Sequence, residues 1–183
     1  MKKVASIIIA IFVVLALGIL LFDYSKGEPI QTAGDFKTHQ SEEFSFRYPS
    51  NWFVYDRPEN INSFVLTTLA NYDIDVLVTS SHPSGNYYKI EIVKLTNSER
   101  LSLTSWVDQF VKNSPTEPFI VDQKPLIVDG LEAIYNLERA WGVTHPAIYI
   151  SRGDSIYIIN SAPITPEFES VLDDFINSFK FIY

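Results

Sequence analysis

Two carboxylates spaced two residues apart, in Asp73-Ile74-Asp75, are the closest approach of this sequence to a metal site. Alternate residues of a strand face the same side, so a strand over 73–79 would let Asp73 and Asp75 share one cation and support metal-assisted hydrolysis. A solvated strand face accounts for the same pair. The three histidines, His39, His82 and His145, do not stand in metal-site spacing and read as ordinary surface residues. There is no Gly-x-Ser-x-Gly elbow, no Ser-x-x-Lys and no glycine-rich phosphate loop. No cysteine occurs, which removes thiolate nucleophiles, Cys-ligated metals and disulfides together. No cofactor is implied.

Trp141 is most simply a core residue; because it lies in the connection between two hairpins, beside Arg139, it is also the candidate for contact with a partner. Tyr87 and Tyr88, after the turn residues Ser84-Gly85-Asn86, are a weaker candidate pair. Trp52 and Trp106 are core residues by position, the first after a turn and the second on a helical apolar stripe.

The elements that carry these residues hang from a membrane segment. Val4–Phe22 is nineteen residues without charge after Met1-Lys2-Lys3, long enough as a helix to cross a bilayer. Lysines keep the start cytoplasmic, so the chain from Asp23 onward faces out. Cleavage after Gly18, with Ala16 and Gly18 as the small residues, is the alternative reading. The layout is therefore a basic start at 1–3, a signal anchor at 4–22, a flexible tether at 23–43 and a globular domain at 44–183. Every acidic residue follows Phe22, and that part carries 12 − 22 = −10 charges, a sign that repels nucleic acid.

Within the domain, Phe44-Ser45-Phe46-Arg47-Tyr48 alternates as a half-buried strand, and further strands read over 52–55, 63–69, 73–79 and 87–95. Tyr88, Ile90 and Ile92 fall on the inward face of the last of these. Leu103, Trp106, Val107, Phe110 and Val111 make a helical stripe that Ser102 or Thr104 can cap. Asp129-Gly130 and Arg152-Gly153-Asp154 each join two strands. Thr165-Pro166 opens a second amphipathic helix, and Phe179-Lys180-Phe181 closes the chain as a short edge strand. The fold class is α+β: a mostly antiparallel sheet packed by two amphipathic helices, preceded by one transmembrane helix.

Three segments in this order resemble the PsbP-like α/β/α-sandwich superfamily. They are FSFRYPSNWF at 44–53, DGLEAIY at 129–135 and SFKF at 178–181, and the likeness spans Phe44 to Phe181. The superfamily includes extrinsic subunits of the photosynthetic oxygen-evolving complex, a Ran-binding nuclear-import factor and many exported bacterial proteins. It shares no catalytic residues, and its members mostly bind proteins or assist membrane complexes. The resemblance implies a non-enzymatic binding or accessory module with a protein partner, and the anchor read from Val4–Phe22 makes that module membrane-held and exported. A hydrolase using Asp73 and Asp75, a carrier of small apolar ligands and an envelope structural component are the alternatives.

Overall fold

In this computed structural model the described residues are 35–56, 64–74, 87–114, 118–140, 143–162 and 164–183. Among them the strands are β1 (Phe36–Gln40), β2 (Phe44–Pro49), β3 (Phe53–Asp56), β4 (Val65–Ala70), β5 (Lys89–Thr96), β6 (Phe119–Val128), β7 (Leu131–Ala140), β8 (Val143–Arg152), β9 (Ser155–Ala162) and β10 (Lys180–Phe181). The helices are α1 (Leu103–Asn113) and α2 (Pro166–Ser178). No helix among the described residues is long and apolar enough to cross a membrane. The span read over Val4–Phe22 lies outside them.

Two sheets form rather than one, and all their pairings are antiparallel. The larger has the order β3-β4-β5-β9-β8-β7-β6, and the smaller β1-β2-β10. Ile156 to Ile159 are buried on both faces of β9, which is the middle strand of seven, as expected for a strand apolar on both sides. The Asp129-Gly130 turn has φ of +50° and +77°, the left-handed pair that an Asn-Gly or Asp-Gly hairpin adopts. Its Asp129 carboxylate also accepts from the Phe181 N–H at 2.8 Å and from Lys180 at 3.0 Å, so the hairpin holds the short strand β10. Pro125 lies on β6, an edge strand, where a missing N–H costs no ladder bond.

The helices cover opposite faces of the large sheet. Leu103 and Val107 of α1 pack on Ile134, Ala147, Tyr149, Ile156 and Ile158. Ser102 caps α1 by accepting from the Ser105 N–H. On the other face Phe168 of α2 stacks between Tyr88 and Trp52, at 4.9 and 6.1 Å between centroids. Further along α2, Phe175 and Phe179 meet Phe44 and Phe46 of the small sheet. The aromatic stripe of α2 thus joins the two sheets, and burying that much ring surface stabilises the junction.

The domain starts before the boundary read at Phe44. Phe36–Gln40 lies inside the supposed tether, yet all five residues pair with β2, and His39 stacks on Phe46 at 4.9 Å. An edge strand with polar residues outward has no apolar alternation to announce it.

Thr165 caps α2 by accepting from the Phe168 N–H, and it also bonds the buried Tyr88 hydroxyl at 2.9 Å. Thr165→Ala is expected to destabilise the domain by about 1–2 kcal/mol. A urea midpoint unchanged from the parent would show that neither bond matters.

Candidate functional site

Of the Asp73–Asp75 pair only Asp73 lies among the described residues, where it is not in a strand and the following Ile74 is helical. The Asp73 carboxylate instead accepts from the Tyr55 hydroxyl at 2.8 Å, and that hydroxyl accepts from the Ile74 N–H. Asp75 lies outside the described residues, as do His82 and Trp141. Among the described residues no three His, Asp or Glu side chains are grouped to hold a metal ion.

Tyr88 is not a surface contact. It is 1% exposed, with its ring on Phe168 and its hydroxyl on Thr165. The same alternation that makes β5 a strand turns Tyr88 inward. Tyr87 is half-buried and meets the Tyr72 ring edge-on at 5.0 Å.

Arg139 is exposed, at an apolar corner of the large sheet. Register places Phe119 opposite Arg139, Arg139 opposite Thr144, and Ala140 opposite Val143. The guanidinium lies over the Phe119 ring at 5.7 Å and donates from Nε to Thr144 Oγ1 at 3.1 Å. Phe119, Val121 and Val143 are 56%, 47% and 46% exposed. Phe119 shares the Arg139 face, while Val143, next to Thr144 in β8, faces the other side; an arginine held over an exposed aromatic ring is a pairing enriched at interfaces. A β-bulge between Ile120 and Asp122 re-aims this end of the edge strand.

A second constellation lies on the face that α1 covers only in part. Pairing puts Thr68, Glu91, Asn160, Ala147, Asn136 and Gln123 in one row across β4, β5, β9, β8, β7 and β6. His145 and Glu138, directly paired, stand in the next row. Directly opposite residues share a face, so Val93, Ile158, Tyr149 and Ile134 continue it under α1. The face is therefore apolar beneath the helix and polar beyond it.

The polar half is ordered by bonds. Glu138 is 4% exposed, and its Oε1 accepts from the Tyr149 hydroxyl at 2.7 Å and from Asn136 Nδ2 at 3.0 Å. Gln123 donates to Asn136 at 2.9 Å. His145 Nε2 stands 3.9 Å from Glu138 Oε2. Burial, with the Glu138 carboxylate beside it, pushes the Tyr149 hydroxyl far above the usual tyrosine range, so it remains a donor. Lys89 pairs with Glu91 at 3.0 Å. The β8–β9 pairing ends at Ala147–Asn160, next to Pro146, which has no N–H to continue it. Ser161 Oγ donates to the Pro146 carbonyl at 3.4 Å instead. Sequence spacing could not reveal this set, because its members come from six strands joined only by register.

A third cluster ties the sheets together. Glu43 accepts from Lys94 of β5 at 2.6 Å and from the Tyr157 hydroxyl of β9. Arg152 donates to the Ile182 carbonyl at 2.7 Å and lies over the Phe181 ring. Burial works to raise the Glu43 carboxyl, but the bonds from Lys94 and Tyr157 outweigh it and hold the group below its ordinary value. Every member is engaged within the fold, which marks the cluster as structural.

No protein-family model and no curated protein matches the sequence. Solved structures do match. The cyanobacterial PsbP, CyanoP, from Synechocystis sp. aligns with a TM-score of 0.56 at 11% identity, over 81% of this chain and 94% of its own. A Pseudomonas aeruginosa protein of unknown function aligns at 0.41 and 13% identity, over 74% of this chain and 88% of its own. A Bacteroides thetaiotaomicron protein aligns at 0.44 and 12% identity, over 82% and 49%. The motifs at 44–53, 129–135 and 178–181 form β2 with its following turn, the β6–β7 turn with the start of β7, and the end of α2 with β10. Together with the CyanoP alignment, they make the fold of this chain PsbP-like.

Proposed function

We propose that this chain is a membrane-anchored, exported accessory domain that binds another protein and catalyses no reaction. The observation that carries the reading is the pair of Phe119 and Arg139 at the edge of the large sheet. A large aromatic ring stays in water there beneath an arginine already held in place. Exposed clusters of that composition serve contact with other molecules. The uncharged run Val4–Phe22 supplies the anchor, with Lys2 and Lys3 inside and the acidic domain outside. The PsbP-like fold supports an accessory role by analogy of architecture.

The test is affinity purification from cross-linked membranes. The parent chain is expected to retain a reproducible partner, and Phe119→Ser with Arg139→Glu is expected to lose it while circular dichroism stays unchanged. Truncating a hot-spot side chain costs about 2 kcal/mol or more, roughly a thirtyfold loss of affinity. Retention of the same protein by the double variant would place the contact elsewhere. Recovery of no consistent protein by the parent would count against binding as the function.

A further inference from the structure

The small sheet and the end of α2 border a groove of about 430 Å³, lined by Phe36, Arg47, Asp174, Asn177 and Ser178. Small-molecule sites occupy roughly 300–1,000 Å³. Strand pairing explains why the groove forms. β10 pairs with β2 only at Ser45 and Phe44, so the Arg47 N–H beyond it donates to Ser178 Oγ instead, at 2.9 Å. That bond sets the last turn of α2 against β2. Asp174, Asn177 and Ser178 recur at i, i+3 and i+4, so one face of the helix forms one wall. On the sheet side Arg47 is paired with Thr38 and Phe36 with Pro49, which puts Phe36 and Arg47 on the same face. The guanidinium lies over the Phe36 ring at 4.9 Å.

The charges of this groove are exposed and unanswered. Arg47, Asp174 and Asn177 all face solvent. Among the described residues neither the Arg47 guanidinium nor the Asp174 carboxylate has an ion-pair partner, and the two do not pair with each other. Ser178 Oγ, in contrast, is engaged within the fold, between the Arg47 N–H and the Phe175 carbonyl. The last turn of α2 holds no basic residue, so the negative end of the helix dipole stands unanswered at the same wall as Asp174. A simple anion drawn to Arg47 would be repelled by Asp174 and the helix end. A simple cation drawn to those would be repelled by Arg47. One wall is positive and the other negative.

We propose that this groove binds a small zwitterion, an α-amino acid or a dipeptide, with its carboxylate on Arg47 and its ammonium group on Asp174. The guanidinium fork takes a carboxylate through two N–H donors, the Asn177 carboxamide both donates and accepts, and Phe36 meets the apolar part of the ligand. Opposite charges on the two walls orient the ligand and reject molecules that carry only one of them. The binding is non-covalent and independent of the Phe119–Arg139 edge.

The test is saturation-transfer NMR of the full chain in detergent micelles. The probes are alanine and dialanine, beside N-acetylalanine and alaninamide, which keep only the negative or only the positive charge. At least one zwitterion is expected to bind with a millimolar or lower Kd, at least tenfold more tightly than either single-charge probe. Binding of alanine without dialanine, or the reverse, would support the proposal and identify which of the two the groove takes. Arg47→Gln is expected to erase the preference over alaninamide, and Asp174→Asn the preference over N-acetylalanine, with circular dichroism unchanged in both. N-acetylalanine or alaninamide binding the parent as tightly as the zwitterions would overturn the ligand class. No saturation transfer to alanine or dialanine at millimolar concentration, or equal transfer in the parent and both variants, would overturn the site.

Discussion

Phe168→Ala is expected to unfold most of the domain at 37 °C, with a loss of about 3–5 kcal/mol. Phe168 is fully buried, stacked within 7° of coplanar on Tyr88 and within 2° on Trp52. Removing the ring leaves a cavity between α2, the turn before β3 and the large sheet. The two flanking rings cannot both close it, since Trp52 is held by its N–H bond to the Pro49 carbonyl and Tyr88 by its pairing with Asn71. A domain of this size has about 5–15 kcal/mol in total, and no disulfide supplements it. Phe168→Leu, which refills most of the volume, should recover more than half of the loss in thermal denaturation. Equal Tm values for Phe168→Ala and the parent would mean that α2 does not join the sheets as described.

The second large effect lies at the seam between the sheets. Glu43→Gln should cost about 1–3 kcal/mol at neutral pH, because Lys94 and Tyr157 both donate to that carboxylate and Lys94 loses its counter-charge. The dependence on pH has a definite sign. The Glu43 carboxyl is held below its ordinary value of 4.5 in the folded state, so its contribution is full above that value and is lost as pH falls through the folded pKa. Asp129 is held below its ordinary 3.8, first by the Phe181 N–H and then by Lys180, and acts in the same direction. The parent should therefore lose stability on acidification below about pH 5, and Glu43→Gln should lose less over the same range. Lys94 and Tyr157 are both raised, so their contributions are present at neutral pH and decline in strong alkali, above about pH 10. Urea midpoints at pH 7, 5 and 3.5 check the acid limb. Parallel losses in parent and variant would remove Glu43 from the account.

Much of this architecture was legible in the sequence because it rests on local signals. The cap and proline at Thr165-Pro166, the stripe from Phe168 to Phe175 and the Asp129-Gly130 turn each have one physical reading, and each is met. β1 was not legible: an edge strand that leaves Lys37 and Thr38 in water has no buried face to pattern. Of the strand read over 73–79 only Asp73 and Ile74 are among the described residues; neither is in a strand, and both bond the Tyr55 hydroxyl. The division into two sheets depended on α2 filling the space between them, which no single segment records.

The sites divide in the same way. Arg139 could be picked out because an arginine near a turn is a local feature, and its exposure at an apolar corner follows from the hairpin that carries it. Glu138 read as the end of a strand and His145 as the start of one. Their pairing, and their neighbourhood with Asn160 and Glu91, exists only through register across the sheet. Tyr88 was a conflict between two local readings, strand alternation and proximity to a turn. Burial against Phe168 decided it for alternation.

Photo-cross-linking in intact cells tests the central claim, that the domain presents the Phe119–Arg139 corner to a protein at the membrane. A photoreactive residue is placed at position 119 and, as a control, at the exposed Asp174 of α2. The account predicts one discrete membrane-associated adduct from position 119 and none of that size from position 174. Equal adducts from both positions, or none from position 119, would contradict it.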